Sequence, residues 1–225
     1  LNLSRRLLVV TLLPAVLTAC QSLPDGSSTD AEVSWHSSAE FFAERRQYTQ
    51  SLSSWRYSAK VGLSTPDLNE QANLIWEFAD QANGVRMFGP LGMGAIKLQF
   101  DEYGVQLSDN NGLLHRGASA EQLLTRIVGW PIPIDSLSSW MFVLPAKESA
   151  YRYTLDQNQQ IDTLEQLGWL IKYSDYRDYD GQSMPRKIVA TKNLSHIEKG
   201  SVLSKKSAPV NRQIVVKLIT KGWTL

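Results

Sequence analysis

The chain has 225 residues, 43% hydrophobic and 20% charged, with seven Trp and a single Cys. That length suits one domain with a sizeable core, and the composition excludes disordered, collagen-like and disulfide-stapled classes. Lys and Arg total 23 against 22 Asp and Glu, so no basic excess is available for a nucleic-acid backbone.

The first residues read as an export signal. Arg5 and Arg6 precede an apolar run from Leu7 to Leu17, about half the ~20 residues a spanning helix needs. The run ends Leu17-Thr18-Ala19-Cys20, and Cys20 is the only cysteine. Small residues before a Cys resemble the bacterial lipobox, which implies cleavage before Cys20 and acylation of its thiol and amino group. The resulting organisation is a signal over 1–19, an acylated N-terminus and linker over 20–36, and a folded body over 37–225. Loss of Arg5 and Arg6 takes the basic count from 23 to 21 against 22 acidic residues, a net charge of −1. Polybasic attraction to lipid is therefore not the anchor, whereas multiple acylation suffices. By the lipoprotein sorting rule, Gln21 in place of Asp after the Cys points to the outer membrane, on its periplasmic face.

Gln21 to Ser34 is rich in Ser, Asp, Gly and Pro and reads as a flexible linker. Ser38 to Leu52 spaces Phe41, Phe42, Tyr48 and Leu52 as one amphipathic helix. From Trp55 the period becomes two. Strands are expected from Trp55 to Leu63 and Ala72 to Phe78, with Thr65-Pro66-Asp67 between them. Shorter ones follow at Val85–Phe88, Ile96–Phe100, Val105–Ser108 and Leu113–His115, with Asn111-Gly112 as a hairpin signal. Ser119 and Gln122 form a capping box for a helix through Val128, stopped by Gly129 and Pro131. A second short helix starts at Asp135 and closes near Pro145. Strand patterns resume at Tyr151–Leu155, Ile161–Leu167, Trp169–Tyr176, Arg186–Thr191 and Arg212–Ile219. The sum is a mainly β fold. About eleven antiparallel strands form an open, strongly curved half-barrel, with helices as a lid on its concave side. Such a sheet either fills its interior or encloses an apolar cavity.

Motifs for catalysis are missing from the sequence. There is no GxSxG elbow, HExxH or P-loop, and His36, His115 and His196 are too scattered for a local metal pair. The expectation is a non-enzyme without cofactor or metal. Asp175, Asp178, Asp180 and Gly181 have the wrong spacing for a calcium loop and fit a hairpin turn better. Two apolar features stand out. Leu91 sits in the Gly- and Pro-bounded loop Phe88 to Gly94, where it either folds into the core or meets lipid or a partner. Trp55, Trp76, Trp130, Trp140 and Trp169 suit either ordinary packing or the lining of a lipid cavity.

Three segments together resemble the outer-membrane lipoprotein receptor LolB family. They are the lipobox at Cys20, the loop Gly89-Pro90-Leu91-Gly92, and Gly129-Trp130-Pro131-Ile132-Pro133-Ile134-Asp135-Ser136-Leu137 continuing to Trp140 and Leu144-Pro145. The resemblance implies a half-barrel with an apolar cavity. It also implies a monomer that takes acylated lipoproteins from the periplasmic carrier LolA and inserts them among outer-membrane phospholipid. It places the membrane-inserting leucine at Leu91, cavity aromatics at Trp76, Trp140 and Trp169, and lid-shaping prolines at Pro131 and Pro133. Two departures are a longer Ser195–Asn211 stretch and Met93-Gly94 after the loop. The competing reading is a lipid-anchored envelope sensor or hydrophobic-ligand-binding module on the same open barrel.

Overall fold

Alternation of apolar and polar residues builds one antiparallel sheet, seen here in a computed structural model that describes residues 40–79, 83–89, 94–147, 149–194 and 212–225. The signal, Cys20, the linker, Leu91 and the Ser195–Asn211 stretch lie outside the described residues. Eleven strands follow in the order β6-β5-β4-β3-β2-β1-β11-β10-β9-β8-β7. They are β1 (Trp55–Ser64), β2 (Asn69–Phe78), β3 (Gly84–Phe88), β4 (Ile96–Asp101), β5 (Gly104–Ser108) and β6 (Leu114–Gly117). The second half is β7 (Tyr151–Leu155), β8 (Ile161–Gln166), β9 (Trp169–Tyr179), β10 (Gln182–Asn193) and β11 (Gln213–Thr224). The order is a meander in each half, joined where β1 pairs with β11. β6 and β7 are left as edges, so the sheet is open, as expected from the sequence.

The strand limits differ from the sequence pattern mainly at their ends. β9, β10 and β11 run longer because their polar outer residues still hold ladder bonds where the alternation fades. Asn111-Gly112 does mark a hairpin, but not a two-residue one. The Asp109 carboxylate accepts from the amides of Asn111 (2.8 Å) and Leu113 (3.0 Å), and only Gly112 takes a positive φ. The capped loop delays β6 to Leu114. Asp180 and Gly181 do form a two-residue hairpin, with φ of 51° and 79°. Both values suit the type I′ turn that Asp-Gly favours. Asp175 is held by Arg186 (2.7 Å) and Arg177, and these cations keep its carboxyl below the usual range. Among the described residues no group of three or more His, Cys, Asp or Glu is arranged for a metal ion.

Inward residues of β1 (Tyr57, Ala59, Val61, Leu63) and their counterparts on both halves join one continuous apolar core. The described residues all fall within the compact unit Val33–Leu225. Three helical segments supply the rest of that core. A 3₁₀ turn (Glu40–Phe42) leads into α1 (Ala43–Ser51), whose own residues are not buried; Phe42 at its start is the anchor, 1% exposed. α2 (Ala120–Leu123) widens into a π-helical turn, Leu124–Val128, before Gly129 ends it at φ 80°. The wide turn buries Leu123 and Leu124 side by side. α3 (Ile134–Met141) buries Ile134, Leu137, Trp140 and Met141.

Candidate functional site

The lid is built from local chemistry that the sequence partly announces. The Ser119 hydroxyl accepts from the Gln122 amide and donates to the Asp135 carboxylate (2.9 Å), tying α2 to α3. Between them lie Pro131 and Pro133. The Ile132 amide donates to Trp130 O (2.9 Å) and the Ile134 amide to Ile132 O (2.8 Å). Each proline thus centres an inverse γ-turn, for which its fixed φ is preset; Pro133 has φ −77°, ψ 61°. The paired turns drive Ile132 and Ile134 into the core with no exposed surface. After α3 the chain reverses in a Schellman motif, with Leu144 N–H on Ser139 O and Val143 N–H on Trp140 O. Val143 occupies the left-handed position at φ 57°, a strained choice for a β-branched residue. Phe142 and Leu144, on either side of it, are buried.

Two clasps fasten this lid. The Trp130 indole donates to Glu70 on β2 at 2.9 Å. Gln166 of β8, 2% exposed, accepts from the Trp140 indole (3.1 Å) and the Ala146 amide (2.8 Å). Its amide group donates in turn to the carbonyls of Ala146 (2.9 Å) and Ser149 (3.1 Å). All four of its hydrogen-bonding positions are filled, which is what burial of such a group requires.

A cavity of about 540 Å³ lies between lid and sheet at the end where β1 begins. Its sheet wall is aromatic. Trp55 opens β1, Phe78 closes β2, Phe100 is next to last in β4, and Trp76 stands one inward step from Phe78. Trp55 stacks on Phe78 at 6.0 Å and meets Phe142 edge-on at 5.3 Å, while Trp76 stacks on Phe100 at 6.4 Å. The lid contributes Ile134, Phe142 and Leu144, and α1 contributes Arg46, Thr49 and Gln50 at the rim. Asn83, Asp135, Ser138, Ser139 and Lys147 complete its polar lining, so the aromatic wall can hold a hydrocarbon chain while the polar half faces a polar head.

Of the three tryptophans singled out from sequence, the structure brings Trp76 to this wall. Trp140, with no exposed surface, and Trp169 pack together at 6.2 Å on the side of α3 turned to β8 and β9. They do not line the chamber; they hold the lid in place. Pro131 borders a second hollow beside the β1–β2 turn, and Pro133 caps α3. Phe78, Phe100 and Phe142 were missed, and Trp55 was named only among tryptophans that suit either packing or a cavity lining. A usable signal existed for Trp55, Phe78 and Phe100: in a meander, aromatics that start odd strands and end even ones gather at one end of the sheet.

The β3–β4 connection springs from the opposite end. β1, β3, β5, β8 and β10 run in one direction, because each neighbouring pair is antiparallel. The loop after β3 and the chamber at the start of β1 are therefore at different ends.

The arrangement matches a known family. The profile described as "Outer membrane lipoprotein LolB" covers residues 53–223. The chain belongs to the LolB family. A relative named outer-membrane lipoprotein LolB from Pseudomonas syringae pv. syringae (strain B728a) is 32% identical over 186 residues, 81% of this chain and 87% of its own. Another, from Pseudomonas aeruginosa (strain UCBPP-PA14), is 30% identical over 174 residues, 77% of this chain and 83% of its own. Solved structures are similar in fold. A LolA superfamily protein from Nitrosomonas europaea gives a TM-score of 0.51 at 10% identity, over 84% of this chain and 94% of its own. A domain from Vibrio parahaemolyticus assigned to outer membrane lipoprotein sorting gives 0.52 at 11%, over 82% and 90%. The LolB match spans both clasps and the whole chamber except its α1 rim.

Proposed function

We propose that this chain is an outer-membrane lipoprotein receptor that takes acylated lipoproteins from a periplasmic carrier of the LolA type and places them in the outer membrane. The observation that carries the reading is the aromatic chamber under a clasped lid in a LolB-family chain. A triacyl group has on the order of 45 methylenes at about 0.8 kcal/mol each, so release into water would cost about 36 kcal/mol. Direct passage from one apolar site to another removes that barrier. Transfer then runs down an affinity gradient that needs no catalysis. Purified carrier loaded with a labelled lipoprotein should pass it to this protein, and no transfer would end the reading. An envelope sensor on the same scaffold would instead leave lipoprotein localisation intact when depleted.

The acyl site of this reading centres on Trp76, Trp55, Phe78, Phe100 and Phe142, with Trp140, Trp169, Pro131 and Pro133 positioning the lid. Cys20 is the lipid anchor that holds the 37–225 body at the outer membrane. Mass spectrometry of the native N-terminal peptide should find Cys20 acylated; an unmodified Cys20 contradicts the anchor.

Leu91 is the membrane contact. Inserting one leucine into lipid contributes about 1.5–3 kcal/mol, too little to anchor a protein but enough to orient one already tethered. Leu91→Glu should keep its melting temperature and its acceptance of lipoproteins while delivering them to liposomes more slowly. A buried leucine would instead cost stability of several kcal/mol, roughly 3, in the same variant. Since the chamber lies at the end of the sheet opposite the end of β3, the role proposed for Leu91 is to orient the body.

A further inference from the structure

The tight turn between β8 and β9 breaks a rule that its counterpart obeys. Gln166 pairs with Trp169, so Leu167 and Gly168 form a two-residue loop, with φ of 55° and 75°. A type I′ turn wants Asn, Asp or Gly at its first position; leucine there carries the steric penalty of the left-handed region. The β9–β10 turn has the same form and uses Asp180-Gly181. Leu167 does not recover the penalty by burial, since it is 50% exposed. Strain and exposed apolar surface together, with no contact to justify either, point to a role outside the fold.

The two turns lie at opposite ends of the sheet. The β8–β9 turn shares its end with the β3–β4 connection, because β3 and β8 run in the same direction. The same end carries Leu113 (59% exposed) and Leu114 (64%) at the β5–β6 loop, and Leu170 (44%) just past the turn. Lys192 stands beneath the tip: its side chain comes within 3.9 Å of the place a Cβ on Gly168 would take, and its ammonium is 5.6 Å from the Trp169 ring. Leucines raised on separate hairpins, with a lysine behind them, suit a flat apolar surface under anionic headgroups rather than a groove-forming protein.

We propose that Leu167, supported by Leu170 and Lys192, is a second point of contact with the phospholipid bilayer, seating this end of the sheet on the membrane. The proposal rests on the membrane-delivery reading above, and it assigns that contact to a hairpin distinct from the β3–β4 loop. One contact point lets the body swing; a second on another strand pair fixes its tilt.

The test uses the full chain reconstituted in vesicles of phosphatidylethanolamine with phosphatidylglycerol. Leu167→Asn removes the apolar tip while giving the turn a residue it prefers. Its melting temperature should therefore equal or exceed that of the unchanged protein, while delivery into the vesicles slows about tenfold, equivalent to about 1.4 kcal/mol. In parallel, a fluorophore on Leu167→Cys should be quenched by nitroxide lipids and one on Asp180→Cys should not. Unchanged delivery by Leu167→Asn, a lower melting temperature, or equal quenching at the two hairpins would overturn the proposal. Self-association without vesicles that Leu167→Asn abolishes would also overturn it, by assigning the tip to a second copy. If the unchanged protein accepts no lipoprotein, yet of the two labelled variants only Leu167→Cys is quenched, the receptor reading fails and the membrane contact stands.

Discussion

Gln166→Leu should lower the thermal midpoint by roughly 12 °C, one of the largest losses expected from a single conservative-sized change in this chain. The side chain is almost fully buried and makes one hydrogen bond to Trp140 in α3 and three to the segment that follows it. Leucine fills the same space but leaves the Trp140 indole, the Ala146 amide and two carbonyls without partners. A buried group stripped of its partner costs about 1–3 kcal/mol. Ala146 and Ser149 are only half-buried and recover some bonding from water, which brings the net loss to about 4 kcal/mol. For a body of this size each kcal/mol shifts the midpoint by about 2–4 °C. Calorimetry of the variant beside the unchanged protein checks the figure. A shift under roughly 3 °C would mean that Gln166 does not clasp the lid.

Phe78→Glu should fold and yet lose most of its uptake of lipoprotein. Phe78 closes β2 at the chamber wall and is 38% exposed, so a carboxylate there can reach water when the chamber is empty. A hydrocarbon chain packed on that wall would have to strip that water away, and desolvating a charge against hydrocarbon is unfavourable. Uptake from a loaded carrier should fall by about tenfold or more, a cost of at least about 1.4 kcal/mol, with the melting temperature little changed. Trp140→Glu cannot serve this purpose. Trp140 has no exposed surface and bonds to Gln166, so a charge there would unfold the lid before it tested the site.

The fold was largely legible in the sequence because its signals are local. Alternation marks β1 to within a residue and β2 from Ala72 to its end, and Ser119, Gly129 and the two prolines delimit the lid. Legibility faded where tertiary contacts decide. The outer ends of β9 to β11 are held by ladder bonds rather than by pattern, and the Asp109 carboxylate reshapes a loop that Asn111-Gly112 alone suggests is tighter. In the candidate site, tryptophan was a sound clue to the wall at Trp76 but could not tell wall from packing. Trp140 and Trp169 differ from Trp76 in their neighbours, Gln166 and Lys192, which lie far away or on another strand. Phe78 and Phe100 looked like ordinary strand residues; only the antiparallel order brings them to one end beside Trp55.

On the proposed function, acyl chains occupy the aromatic chamber at the start of β1. A lipoprotein carrying a photoactivatable fatty acid, passed from a carrier to this protein and irradiated, reports the site directly. Cross-links should concentrate on peptides containing Phe78, Phe100 and Phe142 and should be suppressed in Phe78→Glu. Cross-links confined to other surfaces, or unchanged in that variant, would contradict it.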